Sequence, residues 1–476
     1  MASLKLPVLL LLGSVFLATV SGLAFGENEN TQNQNPYHFR SQNFRTRFQN
    51  ERGRIRILQR FDQRCDHLQF LRNYRYVELE LRPHSLFLPH HRDAEALFVV
   101  LEGKAIAGIA NQTNRETLRL EEGDVVRVPP GNLVYTANVE EDQRFRVASL
   151  ILPVNMPGQY ENLYPSGNQN PRAYYHAFSQ KTLEATFNSN FNEIQRILLG
   201  RRQQGGQSEQ EQSSSNEGVI VSLSREHARE LRRHAESSSS PRRHASSSRP
   251  VINLKNIQPR YSNNHGALWE ACPDRFQLLR DLDISVALLQ LRRGSLYLPH
   301  YNSKAIVVAQ VIDGTAQLEI ASPHLANERS EEEDEENRHE QQQQQQEQQR
   351  GEERSEGQIR RVSSRLNQGD AFVALAGHPL ALRASNRNDL KVVAFLLNAQ
   401  NNQRNFLGGE RDNVINQIER IVKERTFPGS GEEVERLLRN QKESYFVNAQ
   451  PRRQPRGEEE EEERAPLSSI LEEGSF

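Results

Sequence analysis

Short runs of apolar residues, separated by turn-forming residues, recur along most of the chain. Val77 to Leu81 alternates with polar residues, Leu97 to Leu101 is a continuous apolar run that ends at Glu102-Gly103, and Val125 to Val128 follows Gly123-Asp124. Alternation over a few residues is typical of a half-buried strand, and a short apolar run bounded by turns is typical of a strand in a core. The pattern predicts a mainly β protein, a sandwich or barrel, rather than a sheet of alternating strands and helices.

The same pattern occurs twice in the chain. Residues 81–90 read LRPHSLFLPH and residues 291–300 read LRRGSLYLPH, which agree at seven of ten positions. LEEGDVVRVPPG, which ends at Gly131, aligns with LNQGDAFVALAG, which ends at Gly377. The offset between the copies grows from 210 to 246 residues, so the second copy contains an insertion, which includes the runs EEEDEE and QQQQQQ. Two similar β domains in tandem are therefore expected.

Each copy ends in a predicted pair of short helices. Leu183 and Phe187 in one copy, and apolar residues between Val414 and Val422 in the other, follow helical spacing. Asn190 and Ser430 each stand three residues before a glutamate, which is the spacing of a capping box. A closed β unit does not need these apolar helix faces, so we expect a subunit interface to bury them.

Changes in composition divide the chain into five parts. They are a signal peptide at 1–22, an N-terminal β domain with helical extension at 36–200, a polar linker with a short strand and helix at 201–250, a C-terminal β domain with helical extension at 251–448 that includes an insertion at about 325–360, and an acidic tail at 449–476. Lys5 precedes the apolar run from Leu6 to Val20, which is shorter than the ~20 residues that span a bilayer and fits a cleaved export signal. The polar segments are where we expect proteases to cut first.

Side-chain nitrogen is abundant, while net charge and sulfur are low. The chain contains 52 Arg, 8 Lys and 76 Asn plus Gln, yet its net charge is only −2. A balanced charge argues against a nucleic-acid binder, which needs an uncompensated basic surface. Two cysteines cannot form a disulfide scaffold or a Cys-rich zinc module, although a bond between Cys65 and Cys272, or surface copper at Cys272 and His265, stays possible. Asn111-Gln112-Thr113 is a sequon in a predicted exposed hairpin, so Asn111 is a predicted glycosylation site.

The repeated segments resemble the two signature strand motifs of the cupin superfamily, and the whole chain resembles the vicilins, the 7S globulin seed storage proteins. The resemblance covers nearly all of the chain and includes NPYHFRSQNFRTRFQNERGRIRILQRF, PGQYENLYPSGNQN, LPHYNSKAI, NAQNNQRNFLGG and RDNVINQIERIVKE followed by FPGSGEEVERLL. The tail segment PLSSIL resembles the C-terminal vacuolar sorting determinant of some vicilins.

The resemblance implies two tandem cupin jelly-roll β-barrels, each followed by a helical extension that clasps a neighbour in a homotrimer. The implied function is a nitrogen and carbon reserve that travels through the secretory pathway to the protein storage vacuole of the seed. Proteolysis would mobilise the reserve at germination. The implied partners are other copies of the chain, the vacuolar sorting machinery and processing proteases, with no nucleic acid and no membrane. Allergenicity is common in the family.

Enzymatic cupins hold a metal with three histidines and one glutamate, and this chain lacks that set. The corresponding positions are His90 and Arg92 (or Pro89 and His91), Ala96 and Val134 in the first copy, and His300 and Asn302 (or Tyr301 and Ser303), Val307 and Leu380 in the second. Each copy keeps at most one ligand of four. We therefore predict no catalytic, cofactor or metal residue, and we interpret His90, His91 and His300 as polar residues at strand ends. His378 lies two residues before the expected ligand position.

Two alternatives to storage stay open. A vicilin-like protein can bind a sugar or another small ligand in a barrel mouth, although apolar Val134, Val307 and Leu380 offer little polar recognition. A metal-dependent oxidase or isomerase is disfavoured by the ligand count. The chain also contains no HExxH zinc motif and no GxSxG nucleophile motif.

Overall fold

The computed structural model describes residues 35–165, 173–199, 218–238, 251–325 and 359–450. The predicted signal peptide, most of the linker and the insertion, and nearly all of the acidic tail lie outside these ranges. The strands are β1 (His38–Phe39), β2 (Phe44–Asn50), β3 (Gly53–Leu58), β4 (Arg75–Leu81), β5 (Ser85–Arg92), β6 (Ala94–Glu102), β7 (Ala105–Ala110), β8 (Arg115–Leu120), β9 (Asp124–Val128), β10 (Leu133–Asn138), β11 (Phe145–Pro153), β12 (Asn162–Leu163), β13 (Ile220–Ser222), β14 (Val251–Asn253), β15 (Tyr261–Asn263), β16 (Gly266–Ala271), β17 (Ile284–Leu291), β18 (Ser295–Asn302), β19 (Ile306–Asp313), β20 (Ala316–Ser322), β21 (Arg360–Leu366), β22 (Ala371–Ala374), β23 (Leu380–Ala384), β24 (Leu390–Leu397), β25 (Arg404–Phe406) and β26 (Phe446–Asn448).

Helices are short and lie mainly at the ends of the two copies. The α-helices are α1 (Gln180–Phe187), α2 (Phe191–Ile194), α3 (Arg225–Ser238), α4 (Gln277–Arg280), α5 (Arg420–Thr426) and α6 (Gly431–Asn440). Short 3-10 helices cover Ser41–Asn43, Phe61–Gln63, Asp66–Leu71, Tyr174–Ala177, Leu254–Asn256 and Val414–Gln417, and a π-helical turn, Gln195–Leu199, follows α2. None of the helices in the described ranges is long and apolar enough to cross a membrane.

Two antiparallel sheets enclose a core in each copy. In the first copy the strand orders are β14-β9-β6-β11-β4-β3-β2 and β12-β5-β10-β7-β8, and β13 also pairs with β5. In the second they are β1-β22-β19-β24-β17-β16-β15 and β21-β20-β23-β18-β25, and β26 also pairs with β18. Inward residues of both sheets, such as Val77 and Phe87, share one buried cluster in the first copy. The predicted mainly β fold with two domains in tandem is confirmed, and we call the domains the N-terminal and C-terminal barrels.

The first strand of each copy adds to the sheet of the other copy. β1 pairs with β22, where His38 lies opposite Phe372, and β14 pairs with β9, where Val251 lies opposite Val126. A 3.1 Å contact joins His38 Nε2 to Asp370 Oδ2, next to the first of these ladders. Division of the chain at 36–200 and 251–448 therefore leaves one of the two sheets of each copy without an edge strand.

A shared core also joins the two barrels. The ring of Tyr76 packs edge-on against Phe395, with 5.9 Å between the ring centroids. Its hydroxyl donates a 3.0 Å hydrogen bond to Gln310, which is fully buried and also donates to Glu78. Because buried polar groups need partners, this network fixes how β4 of the first copy meets β19 of the second.

The second helix of the pair at the end of each copy begins at the predicted cap. Asn190 accepts a hydrogen bond from the Glu193 amide. Ser430 and Glu433 form the complete reciprocal capping box. Several large apolar side chains of these pairs and the residues flanking them are exposed in the single chain: Phe178, Phe187, Ile197, Ile421, Val422 and Leu437. The expected spare apolar faces are thus present. The predicted linker strand and helix are also present, as β13 and α3.

Candidate functional site

The fold brings the expected ligand positions of the first copy together inside the N-terminal barrel. His90 on β5 lies opposite Val134 on β10, and Ala96 comes from β6 in the facing sheet. All three line a cavity of about 60 Å³ whose remaining walls are mostly apolar. Only His90 offers a metal-binding atom among these three residues. The positions that hold the metal in enzymatic cupins therefore still meet in this cavity, but two of the three lack a side chain that can bind a metal.

His90 is a buried, neutral histidine near the end of a strand. It lies near the end of β5 as predicted, but it is only 1% exposed. Its Nδ1–H donates to the Leu88 carbonyl at 2.8 Å, and Arg92 Nη2 donates to its Nε2 at 2.7 Å. Burial, and next the charge of Arg92, lower the pKa of His90 to about 3. Both ring nitrogens are in use, so His90 cannot bind a metal without losing a bond. The neighbouring His91 is half-buried beside the Tyr174 ring.

Arg92 carries a buried charge that no carboxylate in the described part of the chain contacts. It lies opposite Asn162 on β12. Its Nε and the Asn162 Oδ1 are both shielded from solvent and have no hydrogen-bond partner among the described residues. Burial lowers the pKa of Arg92, because the charged guanidinium loses hydration. The cavity thus contains an unused donor on a cation beside an unused acceptor.

The C-terminal barrel has a buried histidine at the equivalent position, but the arginine and the asparagine near it lie on swapped strands. His300 on β18 lies opposite Leu380 and donates from Nδ1 to the Leu298 carbonyl at 2.8 Å. Burial, followed by the charge of Arg404, lowers the pKa of His300 to about 3. Asn302 occupies the position that corresponds to Arg92, and Arg404 lies opposite it on β25. The arginine and the asparagine have therefore changed strands between the two copies.

The arginine of the C-terminal barrel has a carboxylate partner. Arg404 Nη1 lies 3.2 Å from Glu270 Oε2, and their side chains are 5% and 4% exposed. Arg260 approaches the same carboxylate at 3.6 Å. Burial disfavours the charge of Arg404, yet the Tyr297 and Glu270 side chains raise its pKa overall. The Tyr297 ring fills the space beside His300, with 4.2 Å between centroids.

No metal centre replaces the lost one in the described ranges. There, no three His, Cys, Asp or Glu side chains are grouped so that they could hold an ion. His378 packs against His324 with 4.9 Å between ring centroids, and His324 stacks on His67 at 5.3 Å. Burial, and next the charges of His324 and His67, lower the pKa of His378 to about 4. Sequence reasoning missed this histidine cluster because its members are far apart in the chain.

The cysteines and the sequon occupy separate places. No disulfide joins Cys65 to Cys272. His265, the other half of the possible copper site, contacts Glu443 at 3.0 Å. Asn111 is exposed at the tip of the β7–β8 hairpin, where its Oδ1 accepts from the Thr113 and Asn114 amides at 3.0 and 2.8 Å. These bonds use the Asn111 carboxamide oxygen and not its nitrogen, which is the atom that a glycan modifies.

Comparison with known proteins agrees with the fold. The family described as Cupin matches residues 45–155 and 252–435. The vicilin of Pisum sativum is 43% identical over 98% of each chain, and allergen Ara h 1, clone P17, of Arachis hypogaea is 46% identical over 93% of this chain and 73% of its own.

A solved structure of the vicilin from Solanum melongena superposes with a TM-score of 0.75 at 32% identity, and covers 89% of this chain and 100% of its own. That vicilin contains different anionic ligands in structurally similar pockets. With its duplicated β domains, its capped helical pairs and these relatives, the chain belongs to the cupin family and, within that family, to the vicilins, the non-enzymatic 7S storage globulins of seeds.

Proposed function

We propose that this storage globulin is a nitrogen and carbon reserve that is deposited in the protein storage vacuole and degraded at germination. The observation that carries the proposal is the contrast between its interior and its composition. The former ligand positions are apolar or internally bonded, whereas 52 Arg and 76 Asn plus Gln supply side-chain nitrogen. A reserve needs stoichiometric nitrogen and a compact fold, and it needs no turnover site.

Abundance through the life of the seed tests this proposal. We expect a quantitative immunoblot to show accumulation during seed filling, a major share of dry-seed protein, and disappearance as the seedling grows. Low and steady abundance would contradict a reserve function. Limited proteolysis should first cut in 201–217 or 325–360, because the described strands bury their backbone bonds. A first cut within 77–151 would contradict that expectation.

The proposed assembly is a homotrimer in which the helical extensions clasp neighbouring subunits. Ile421 and Leu437 are 72% and 69% exposed in the single chain, and such apolar faces need a partner. The double variant I421D/L437D should shift the protein to monomers in light scattering after size exclusion. Val154 is also apolar and 63% exposed but lies outside the extensions, so V154D should leave the assembly intact. Equal effects of the two changes would contradict the assignment.

Entry into the secretory pathway should also modify Asn111. The exposed Asx turn at the hairpin tip presents the sequon to a glycosyltransferase. We expect intact-mass analysis of the seed protein to show one glycan that endoglycosidase removes and that N111Q abolishes. An unmodified mass for the seed protein would remove this part of the proposal. Mature protein should begin near Leu23, which N-terminal sequencing measures.

A second candidate function is retention of a small carboxylate in the N-terminal barrel. The buried Arg92, which has an unused Nε donor and no carboxylate partner in the described part of the chain, favours it, and the vicilin of Solanum melongena holds anionic ligands. At roughly 10–15 Å³ per water, a cavity of about 60 Å³ holds about four water-sized groups, which matches a carboxylate of a few heavy atoms better than a sugar.

Thermal-shift titration separates these ligand classes. We expect acetate and other small carboxylates to raise the melting temperature of the wild-type protein, and neutral sugars to leave it unchanged. R92M should lose the response, whereas R383M, which changes an exposed arginine on the other barrel, should keep it. A flat carboxylate panel would remove the candidate, and a response to sugars alone would restore the sugar hypothesis.

A further inference from the structure

The outer faces of the two barrels correspond strand by strand. On the N-terminal barrel, one row across five paired strands consists of Arg119, Ile106, Ala137, Leu86 and Val221. On the C-terminal barrel, the equivalent row consists of Arg365, Gln317, Arg383, Leu296 and Val447. The rows begin with an arginine and end with two apolar residues, and they differ in the middle.

Helix α3 covers the N-terminal row. Ala228 and Ala235 of the helix pack on Ile106 and Ala137, so the contact is apolar at its centre. Near its edge, Glu236 lies 3.8 Å from Arg119. The helix directly follows β13, the strand that ends the row. An acidic side chain on the arginine of this row is thus already present in the fold.

The C-terminal row offers arginines where the other row offers apolar side chains. Arg365 and Arg383 are exposed, and neither has an ion-pair partner within the ranges that the structure describes. Arg361, on the same face, contacts Glu319 at 2.8 Å, which leaves the face with excess positive charge. An amphipathic helix would find no apolar centre here, because Gln317 and Arg383 replace Ile106 and Ala137. The face is suited to an acidic segment.

The chain leaves β26 at the place where it continues into helix α3 after β13 on the other barrel, because β26 pairs with β18 as β13 pairs with β5. Residues 451–476 lie outside the described ranges, and their sequence includes the six glutamates Glu458–Glu463. The offset that takes Val221 to Val447 takes Glu236 to Glu462, within that run. Eight residues from Gln450 to Glu458 reach up to about 26–29 Å. The row from β26 to β21 is about 19 Å wide at ~4.8 Å per strand, so the run can cover it.

A second acidic run, EEEDEE in the insertion, is attached to the same sheet, but at the end of the β20–β21 hairpin that is farther from the arginine row. The insertion leaves β20 after Ser322 and returns at Arg360. Arg365 and Gln317 lie at the opposite end of that hairpin. We propose that the acidic run Glu458–Glu463 docks on the outer face of the C-terminal barrel, between Arg365 and Arg383, where helix α3 lies on the N-terminal barrel.

Zero-length cross-linking of the full-length protein tests this contact. R383K keeps the charge and adds an amine that carbodiimide couples to a nearby carboxylate. In the R383K variant, we expect mass spectrometry to find an amide cross-link between the new amine at position 383 and a carboxylate of Glu458–Glu463 in the same chain. The yield of this cross-link should fall at high salt. R52K, an exposed change on the N-terminal barrel, is the matched control and should give no such product.

The other occupants of this face give different products. In R383K, a cross-link from position 383 to residues 331–336 would show that the insertion occupies this face and would overturn the proposal. Coupling only between isotopically heavy and light subunits would assign it to a neighbouring copy, and no coupling would leave the tail undocked; both also overturn it.

A charge-removal variant gives an independent measurement. In R365Q/R383Q, a Glu-specific protease should cut the run about three- to tenfold faster than in wild type, which is the effect of losing two exposed ion pairs. R45Q/R52Q makes the same charge change on the other barrel, so the protease should cut the acidic run of this variant at the wild-type rate. Equal rates in the two double variants would overturn the proposal even if both fold normally.

Discussion

The buried ion pair of the C-terminal barrel allows a sharp test of how this interior is stabilised. Glu270→Gln preserves the shape of the side chain and removes its charge, which leaves Arg404 buried without a counterion. Arg260 remains nearby and adds a second positive charge. Removal of one partner of a buried pair is costly because the other charge stays desolvated. We therefore expect this single change to destabilise the C-terminal barrel.

The structure sets the size of the effect. At the 3.2 Å between Arg404 and Glu270 and an effective dielectric constant of about 20, the attraction is about 5 kcal/mol. The glutamine oxygen still accepts a hydrogen bond from the guanidinium, which retains about 2 kcal/mol of it. The net loss is about 3 kcal/mol. A domain of this size shifts by about 2–4 °C per kcal/mol, so the melting temperature should fall by about 6–12 °C.

Calorimetry at neutral pH measures this shift, with a matched exposed pair as control. Arg420 and Glu432 are also 3.2 Å apart, but their side chains are 56% and 77% exposed. E432Q should therefore cost under about 1 kcal/mol, and its effect should shrink at high salt whereas that of E270Q should not. Replacement of both charges, in E270L/R404M, should recover most of the loss. Equal shifts for E270Q and E432Q would refute the reasoning.

Three further changes test other parts of the fold. The pKa of His300 is about 3 in the folded protein and roughly 6.5 in the unfolded chain. Between about pH 3 and pH 6.5 the unfolded state therefore binds more protons than the folded state. The contribution of neutral His300 to stability should be complete above about pH 6.5 and should be lost as the pH falls toward 3. H300N should flatten that dependence in urea titrations, whereas exposed H227N should not. Ser430→Ala removes the capping box and should cost about 1 kcal/mol in chemical denaturation. Phe39→Ala should cost about 3–5 kcal/mol and lower the unfolding transition of the C-terminal barrel, because fully buried Phe39 belongs to β1. V154A, at a side chain that is 63% exposed and lies outside the helical extensions, should cost under about 0.5 kcal/mol.

Features with a local or repeated signal were predictable from the sequence. The duplicated LRPHSLFLPH segment predicted two β domains, and strands β5 and β18 begin and end at equivalent residues of the two copies. Caps at Asn190 and Ser430 follow from three-residue spacing, because a cap is made within one helical turn. Helix α3 was predictable from its apolar period. Each of these features depends on contacts between residues that are close in sequence or on comparison of the copies.

Contacts between distant strands were not predictable in this way. Alignment of the copies places Asn302 at the position of Arg92, which suggests that the buried arginine is lost. The register shows instead that Arg404 supplies it from β25, outside the repeated motif. The exchange of β1 and β14 also has no local signal, since an edge strand of two or three residues carries too little pattern to name its partner. Only the assembled sheets determine these pairings.

The relocated arginine indicates that the two barrel interiors are under different constraints. A buried guanidinium costs several kcal/mol unless a carboxylate or a ligand compensates it. The C-terminal barrel compensates Arg404 with Glu270, so its buried cation needs no ligand. The N-terminal barrel leaves Arg92 with His90 Nε2 as a neutral acceptor and with an unused Nε. If apolar packing alone were selected, substitution of Arg92 by a residue of similar volume would be favourable. The presence of Arg92, with an unused Nε donor, therefore makes the N-terminal cavity the place where an added anion should stabilise this storage globulin, and the C-terminal barrel the internal control.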